Sequence, residues 1–571
     1  MGFGGNSDTP VNHTTECISS YAENILQILN MYRKSGIFTD IVLQVDGCEF
    51  PCHRAVLSAS SPYFHTMFNS QMLESTQSVI QIQVLSRVAM EDLLNFLYEG
   101  RVDLNEDNVE TVYQAADFLG VSVLCNACIQ FLEKRVNHSN CLGIMDFASS
   151  YLLRNLAETC QNLLNKDFVK VYKHKEFLRL PKERIVELLM SEQLQIQREE
   201  VLVEAVLKWV HHEPSDRKAA LRELLELVRL PLVDPSFFVN SVETDDILQD
   251  CRDCRPLLLE ARRYHTFGRE IYSARTKPRR SSGTAEVIMI IGGCDRNGFS
   301  RLSHTEKYNP FTGEWTSAAH IPGHSKSEFA SSELQNDVYV SGGQLNSSDV
   351  WRYMVQLNQW VRVGNLKKGR WRHKMATLLG KLYAVGGYNG HERLSSVECY
   401  SAFDNQWLTV APLLLPVSSA AVTSCAGKLY VIGGAVNEDS NTNKVQCYDP
   451  VQDQWTFVAT CPFSQRCISA VTLNNTIYVV GGLLDKIYTY NPSKDTWSKA
   501  ATLPMKVESC GLTVCDGKIY VVGGRDEYSA ALNYMWAFNP ETNTVTKEKS
   551  LPRSVSYHGC VTITQRCPQK S

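Results

Sequence analysis

From Tyr21 to Gly36 the apolar positions Ile25, Ile28, Leu29 and Tyr32 fall at the spacing of one helical face, and Gly36 supplies a stop. The period then drops to two. "DIVLQVDGCEFPCH" alternates apolar and polar residues, and Asp46-Gly47 marks a hairpin turn between two strands. Helical spacing returns in "VETVYQAADFLGV" and "VLCNACIQFLEKRV" and holds to about residue 266. In "EEVLVEAVLKWVHHEP" it puts Leu202, Val206, Trp209 and Val210 on one face, which reads as core. Beyond "SARTKPRRSSG", which reads as a linker, the pattern becomes short apolar strands that each end in two glycines.

Those strands repeat: "KLYAVGG", "KLYVIGG", "TIYVVGG", "KIYVVGG". The six double glycines begin at Gly292, Gly342, Gly386, Gly433, Gly481 and Gly523, at intervals of 50, 44, 47, 48 and 42 residues. An aromatic follows each (Tyr308, Tyr353, Tyr400, Tyr448, Tyr490, Phe538), and seven residues later stands a tryptophan, with Val545 as the exception in the last copy. A constant offset behind variable loops predicts a fixed hairpin, and the Asn/Asp-Pro of "YNPFTGEW" and "YDPVQDQW" suits its turn. Periods of 40 to 50 residues with several short strands predict propeller blades. The first copy lacks a leading strand, and "SYHGCVTIT" after the sixth supplies one, so the C-terminal strand is expected to complete blade one and leave no open edge. The double glycine with its aromatic and tryptophan resembles the kelch repeat.

Composition narrows the function classes. The net charge of −4 argues against a general nucleic-acid binder. It is unevenly split: 27 basic and 23 acidic residues from Ala285 onward, 30 and 38 before it. No apolar run reaches the roughly 18 residues of a membrane span, and the polar N-terminus lacks a signal-peptide core, so a cytoplasmic protein is expected, with "KPRR" as a candidate nuclear signal. The 19 cysteines include two Cys-x-x-Cys pairs, Cys125/Cys128 and Cys251/Cys254. They are too far apart in sequence to suggest one zinc site and read as packing or surface thiols. The propeller histidines His304, His320, His324, His373, His391 and His558 show no paired spacing for a metal oxidase. No Gly-x-Ser-x-Gly elbow or phosphate loop is present. The expectation is a non-enzyme without cofactor or metal.

"TDIVLQV", "CHRAVLSASSPYF" and "AADFLGV" resemble the BTB (POZ) domain, and the helical run behind them resembles the BACK region. The chain is thus identified as a member of the BTB-BACK-kelch (kelch-like) family. The resemblance implies an α+β BTB domain at 22–135, an all-α BACK domain at 136–266, a linker at 267–284 and an all-β six-bladed propeller at 285–564. Asp40 and His53-Arg54 match BTB signature positions, as local folding residues or as dimer contacts. The family further implies a homodimer and a substrate adaptor for a cullin-3 ubiquitin ligase. Met72, Leu73 and Glu74 match its hydrophobic-x-Glu cullin motif. A non-enzymatic scaffold that cross-links actin or other cytoskeletal partners is the alternative. Counting from the double glycines gives two rings of loop positions for the unknown protein substrate. One lies just after each pair: Cys294, Gln344, Tyr388, Ala435, Leu483 and Arg525. The other lies fifteen residues before the first glycine: Ser327, Trp371, Ser418, Arg466 and Glu508, with Ser556 from the closing strand. The basic run "KKGRWRHK", with Lys367, Lys368, Arg370, Arg372 and Lys374, suggests one pocket for an acidic or phosphorylated peptide.

Overall fold

The computed structural model describes residues 19–69, 76–279, 282–295, 300–322 and 327–566. The chain divides into two compact units, residues 1–179 and 180–571.

In the first unit, strands Ile41–Val45 and Cys48–Cys52 form the expected hairpin. Asp46 and Gly47 both take positive φ (49° and 74°), as a tight two-residue turn requires. Val79–Ile82 joins the other side of the first strand in parallel. The signature residues hold this corner together. Arg54 N–H donates to Asp40 Oδ1 at 2.8 Å, and His53 N–H donates to the Tyr98 hydroxyl at 2.9 Å. The helix Ser19–Ser35 docks differently from its apolar pattern. Its buried contacts are polar: Asn30 Nδ2 to Glu99 Oε1 at 2.5 Å and Arg33 Nη2 to Asn95 Oδ1 at 3.3 Å. Ile25 and Ile28 remain exposed. The helices up to Arg179 belong to this unit because Tyr113 meets Phe147 and Tyr151 edge-on, at 5.3 and 5.1 Å between ring centres.

In the second unit the predicted face of Glu200–His212 is buried as expected, with Leu202, Val206, Trp209 and Val210 all in the core. Trp209 Nε1–H donates to Leu180 O at 3.0 Å, and Arg217 lies 4.1 Å from the centre of the indole ring. The segment read as a linker is instead held at both ends. Arg279 is buried, paired with Glu199 at 2.8 Å and donating to the carbonyls of Leu189 and Leu227. That withdraws one arginine of "KPRR" from solvent. At the other end Arg269 bonds Glu286, Thr562 O and Thr564 Oγ1, and Asn474 N–H donates to Glu270 O.

Six four-stranded antiparallel sheets follow, one per double glycine. Gly559–Arg566 pairs along its whole length with Thr284–Ile291, so the C-terminal strand closes blade one. The six inner strands adjoin one another in sequence order, and the closing strand adjoins Ala330–Leu334 of blade two. Hydroxyl pairs tie alternate blade joints: Ser332 to Thr377, Thr423 to Thr472 and Thr513 to Thr562, at 2.8 to 3.1 Å.

The aromatic spacing is explained by register. Tyr308, Tyr353, Tyr400, Tyr448 and Tyr490 each face their tryptophan across the outer hairpin, and Phe538 faces Val545. The hairpin also staples neighbouring blades. The Tyr448 hydroxyl donates to Asp453 Oδ1 at 2.7 Å, which also accepts from Ala411 N–H, while Trp455 Nε1–H donates to Ala411 O at 2.8 Å. Asn358 and Asp495 repeat this device. The double glycines sit where blades crowd. A Cβ on Gly386 would lie 2.6 Å from Val417 O and one on Gly387 2.7 Å from His373 Cβ, and both glycines have positive φ.

Candidate functional site

The propeller axis is a cavity of about 470 Å³ lined by the inner strands. One end is bordered by His265–Glu270, the joint with the helices. There Glu270 meets Ser424, and burial pushes its carboxyl up to about 7. The other end narrows to a small mouth lined by Glu328, Arg372, Ser419, Cys467, Ser509 and Tyr557.

These six residues form a closed ring. Each backbone N–H donates to the carbonyl of the equivalent residue one blade back: Arg372 to Glu328, Ser419 to Arg372, Cys467 to Ser419, Ser509 to Cys467, Tyr557 to Ser509 and Glu328 to Tyr557, at 2.8 to 3.3 Å. All six have positive φ, between 52° and 58°. A left-handed backbone costs a non-glycine residue about 1–2 kcal/mol, and the cyclic bonding holds the strained set in place. Sequence counting missed this ring by one position. Its residues share no side-chain chemistry, so only the repeat arithmetic could have found it.

The two expected rings lie beside it and pair with each other. Trp371 bridges Tyr388, Ser418 bridges Ala435, Glu508 bridges Arg525 and Cys294 bridges Ser556. In blade two Gln344 N–H donates to Ser327 O. Blade five differs, because Gly482 and Leu483 turn directly into the strand Leu484–Asn491, and Leu483 N–H donates to Val507 O instead. Arg466 is exposed there, with Nη1 donating to Glu438 O at 3.0 Å.

The side chains separate into different roles. Trp371 and Tyr388 meet edge-on at 5.2 Å, and Arg393 lies 4.8 Å from the Tyr388 ring centre. Gln344 Nε2–H donates to Glu328 Oε2, and Arg372 pairs with Glu328 at 2.9 Å. Arg525 donates to Ser529 O and to the Tyr557 hydroxyl. Burial raises the Glu508 carboxyl above its usual range, against the opposing charges of Arg525 and Arg466. Ser418 is buried, so its side chain offers no docking surface.

Arg370 departs from the expectation altogether. It is fully buried, pairs with the equally buried Glu398 at 2.5 Å and donates to Gly386 O and Ser396 O. Glu398 also accepts from the backbone N–H groups of Lys367 and Lys368. The run "KKGRWRHK" therefore makes no single basic pocket: Arg370 enters the core, Arg372 the ring, and Lys374 lines the axial cavity. Regular strand alternation would put residues 370, 372 and 374 on one face, but the strand begins only at Lys374, and the left-handed backbone of Arg372 (φ 55°) breaks that alternation. Met72, Leu73 and Glu74 lie outside the described residues. Among the described residues no helix is long and apolar enough to cross a membrane.

Comparison with known proteins covers the same ground. Residues 29–136 match the BTB/POZ domain, 141–243 the "BTB And C-terminal Kelch" domain, and 280–482 and 419–567 the KLHDC2/KLHL20/DRC7 Kelch-repeats domain. Mouse kelch-like protein 35 is 48% identical over 96% of this chain and 96% of its own length. Rat kelch-like protein 24 is 49% identical over 95% and 91%, and human kelch-like protein 6 is 40% identical over 96% and 89%. The wording of "EVIMIIGGCDRNGF", "NDVYVSGG", "KKGRWRHKMA" and "FSQRC" also resembles kelch-like protein 35.

Proposed function

The chain belongs to the BTB-BACK-kelch family of kelch-like proteins, whose members generally act as non-catalytic cullin-3 adaptors, and from that premise we propose that it recruits a protein substrate to a cullin-3 ubiquitin ligase. The observation that carries the reading is the asymmetry of the propeller axis. The helical joint at His265–Glu270 occupies one end, which leaves the face around Trp371, Tyr388, Arg466, Glu508 and Arg525 for a partner. The chain's contribution to catalysis is proximity: holding a substrate lysine near a ligase converts an encounter into an intramolecular step.

Met72, Leu73 and Glu74 are proposed as the cullin-3 contact. Methionine fills an apolar slot and Glu74 accepts hydrogen bonds. Met72→Ala with Glu74→Ala is expected to weaken cullin-3 binding by roughly 1–3 kcal/mol, the range of buried interface anchors. An unchanged dissociation constant, measured calorimetrically on folded protein, removes the assignment. Loss of cullin-3 co-purification without loss of substrate capture separates the adaptor from the actin-scaffold reading, in which cullin-3 is absent from the start.

A homodimer through the first unit is proposed on the uncovered stripe of the first helix. Tyr21, Ile25, Ile28 and Met31 are all exposed there, and an apolar row of this kind calls for a partner surface. Ile25→Asp with Ile28→Asp is expected to leave a monomer at micromolar concentration in analytical ultracentrifugation. A variant that sediments as the same dimer places the interface elsewhere.

A further inference from the structure

Cys251 and Cys254 lie outside every site described above. Cys251 ends the helix Asp246–Asp250, and Cys254 caps the start of the helix Arg255–Phe267. Between them the chain makes one tight turn, closed by Cys254 N–H donating to Cys251 O at 3.2 Å. The turn brings the two sulfurs to 3.1 Å, with the Cys254 thiol donating toward Cys251 Sγ. Cys254 is fully buried and Cys251 is partly open to solvent. Burial, and then the contact with Cys251, push the Cys254 thiol above its usual range, and its burial leaves Cys251 as the thiol a reagent meets first. The other Cys-x-x-Cys pair, Cys125 and Cys128, sits inside the continuous helix Ser122–Arg135 rather than at a break between two.

We propose that Cys251 and Cys254 are a reversible thiol–disulfide site, with Cys251 as the attacking and Cys254 as the resolving thiol. The oxidant is a low-molecular-weight disulfide such as oxidised glutathione. The Cys251 thiolate attacks one sulfur of that disulfide and expels the first glutathione thiolate, which takes up a proton. Cys254 then gives up its proton, attacks Cys251 Sγ in the mixed disulfide and expels the second glutathione. Two protein thiols lose two electrons and two protons, and one glutathione disulfide becomes two thiols. The exposed member meets the reagent and the buried member is already within a short closure of it, a division of labour that favours exchange over lasting glutathionylation.

The full-length protein, incubated with excess oxidised glutathione and digested with trypsin under non-reducing conditions, tests this. Arg252 lies between the two cysteines, so cleavage there leaves their fragments joined only through the disulfide. The expected result is a joined pair that dithiothreitol separates completely. Cys254→Ala is expected to stop at a glutathione adduct on Cys251, and Cys251→Ser to give neither adduct nor link at Cys254. Circular dichroism checks that both variants are folded. Fragments that stay separate in the wild-type protein overturn the proposal. So does a Cys251 without adduct in Cys254→Ala, or a Cys254 that cross-links in Cys251→Ser.

Discussion

Replacing Arg370 with alanine is expected to destabilise the propeller by about 3–5 kcal/mol, the cost of leaving one partner of a buried ion pair uncompensated. Glu398 is the partner left behind, with its side chain 2% exposed. Gly386 O and Ser396 O lose their donor at the same time. Eight of the nine tryptophans lie in the propeller, so the unfolding midpoint followed by tryptophan fluorescence reports on it directly. Arg370→Lys is expected to recover only part of the loss, because an ammonium cannot replace a fork that serves a carboxylate and two carbonyls together. Arg370→Ala with Glu398→Gln is expected to melt above the single variant, since the stranded charge is gone. An Arg370→Ala midpoint equal to wild type shows that the pair is not a stabilising element. This residue is therefore no probe of substrate docking: its charge reversal would damage the fold before any ligand arrived.

Charge reversal at the rim, Arg466→Glu with Arg525→Glu, is expected to reduce capture of an acidic or phosphorylated peptide by more than 2 kcal/mol, about thirtyfold, as for central interface arginines. Cullin-3 binding is expected to be unchanged. The two arginines flank the Glu508 carboxyl, and they oppose its rise through burial. Glu508→Gln removes that competitor and is expected to tighten the same peptides. Fluorescence anisotropy with a synthetic acidic peptide gives both effects, and proteins captured from lysate by wild type and variant extend the comparison to natural partners. Substrates that survive the double reversal, or that share a basic motif, assign the face to another chemistry.

Much of the architecture follows from period and spacing alone. The Asp46-Gly47 hairpin, the buried face of Leu202, Val206, Trp209 and Val210, and the six blades are local or repeated features. A turn, a helical stripe or a fixed offset between tyrosine and tryptophan is visible in any copy of the sequence. Even the closing strand was legible, because a missing element at the start and a surplus one at the end balance only if the chain closes on itself.

Which neighbours share a surface is a matter of packing between distant segments. "KKGRWRHK" is a single basic run in sequence, yet Arg370 goes to Glu398, Arg372 to Glu328 and Lys374 to the axial cavity. A regular strand would put these alternate residues on one face; the left-handed backbone at Arg372 ahead of the strand breaks that pattern, and the acidic partners come from sequence-distant segments. The ring of Glu328, Arg372, Ser419, Cys467, Ser509 and Tyr557 is set by backbone geometry, which leaves no mark on residue type. Arg279 reads as part of a basic linker, but Glu199 and three carbonyls gather around it only when the helices pack. Cys251 and Cys254 read as ordinary thiols by spacing, and the break between two helices is what brings their sulfurs together. The elements and their repeat follow from local period. The charge pairs, the ring and the thiol contact do not, because they depend on groups that folding alone brings within a few ångströms.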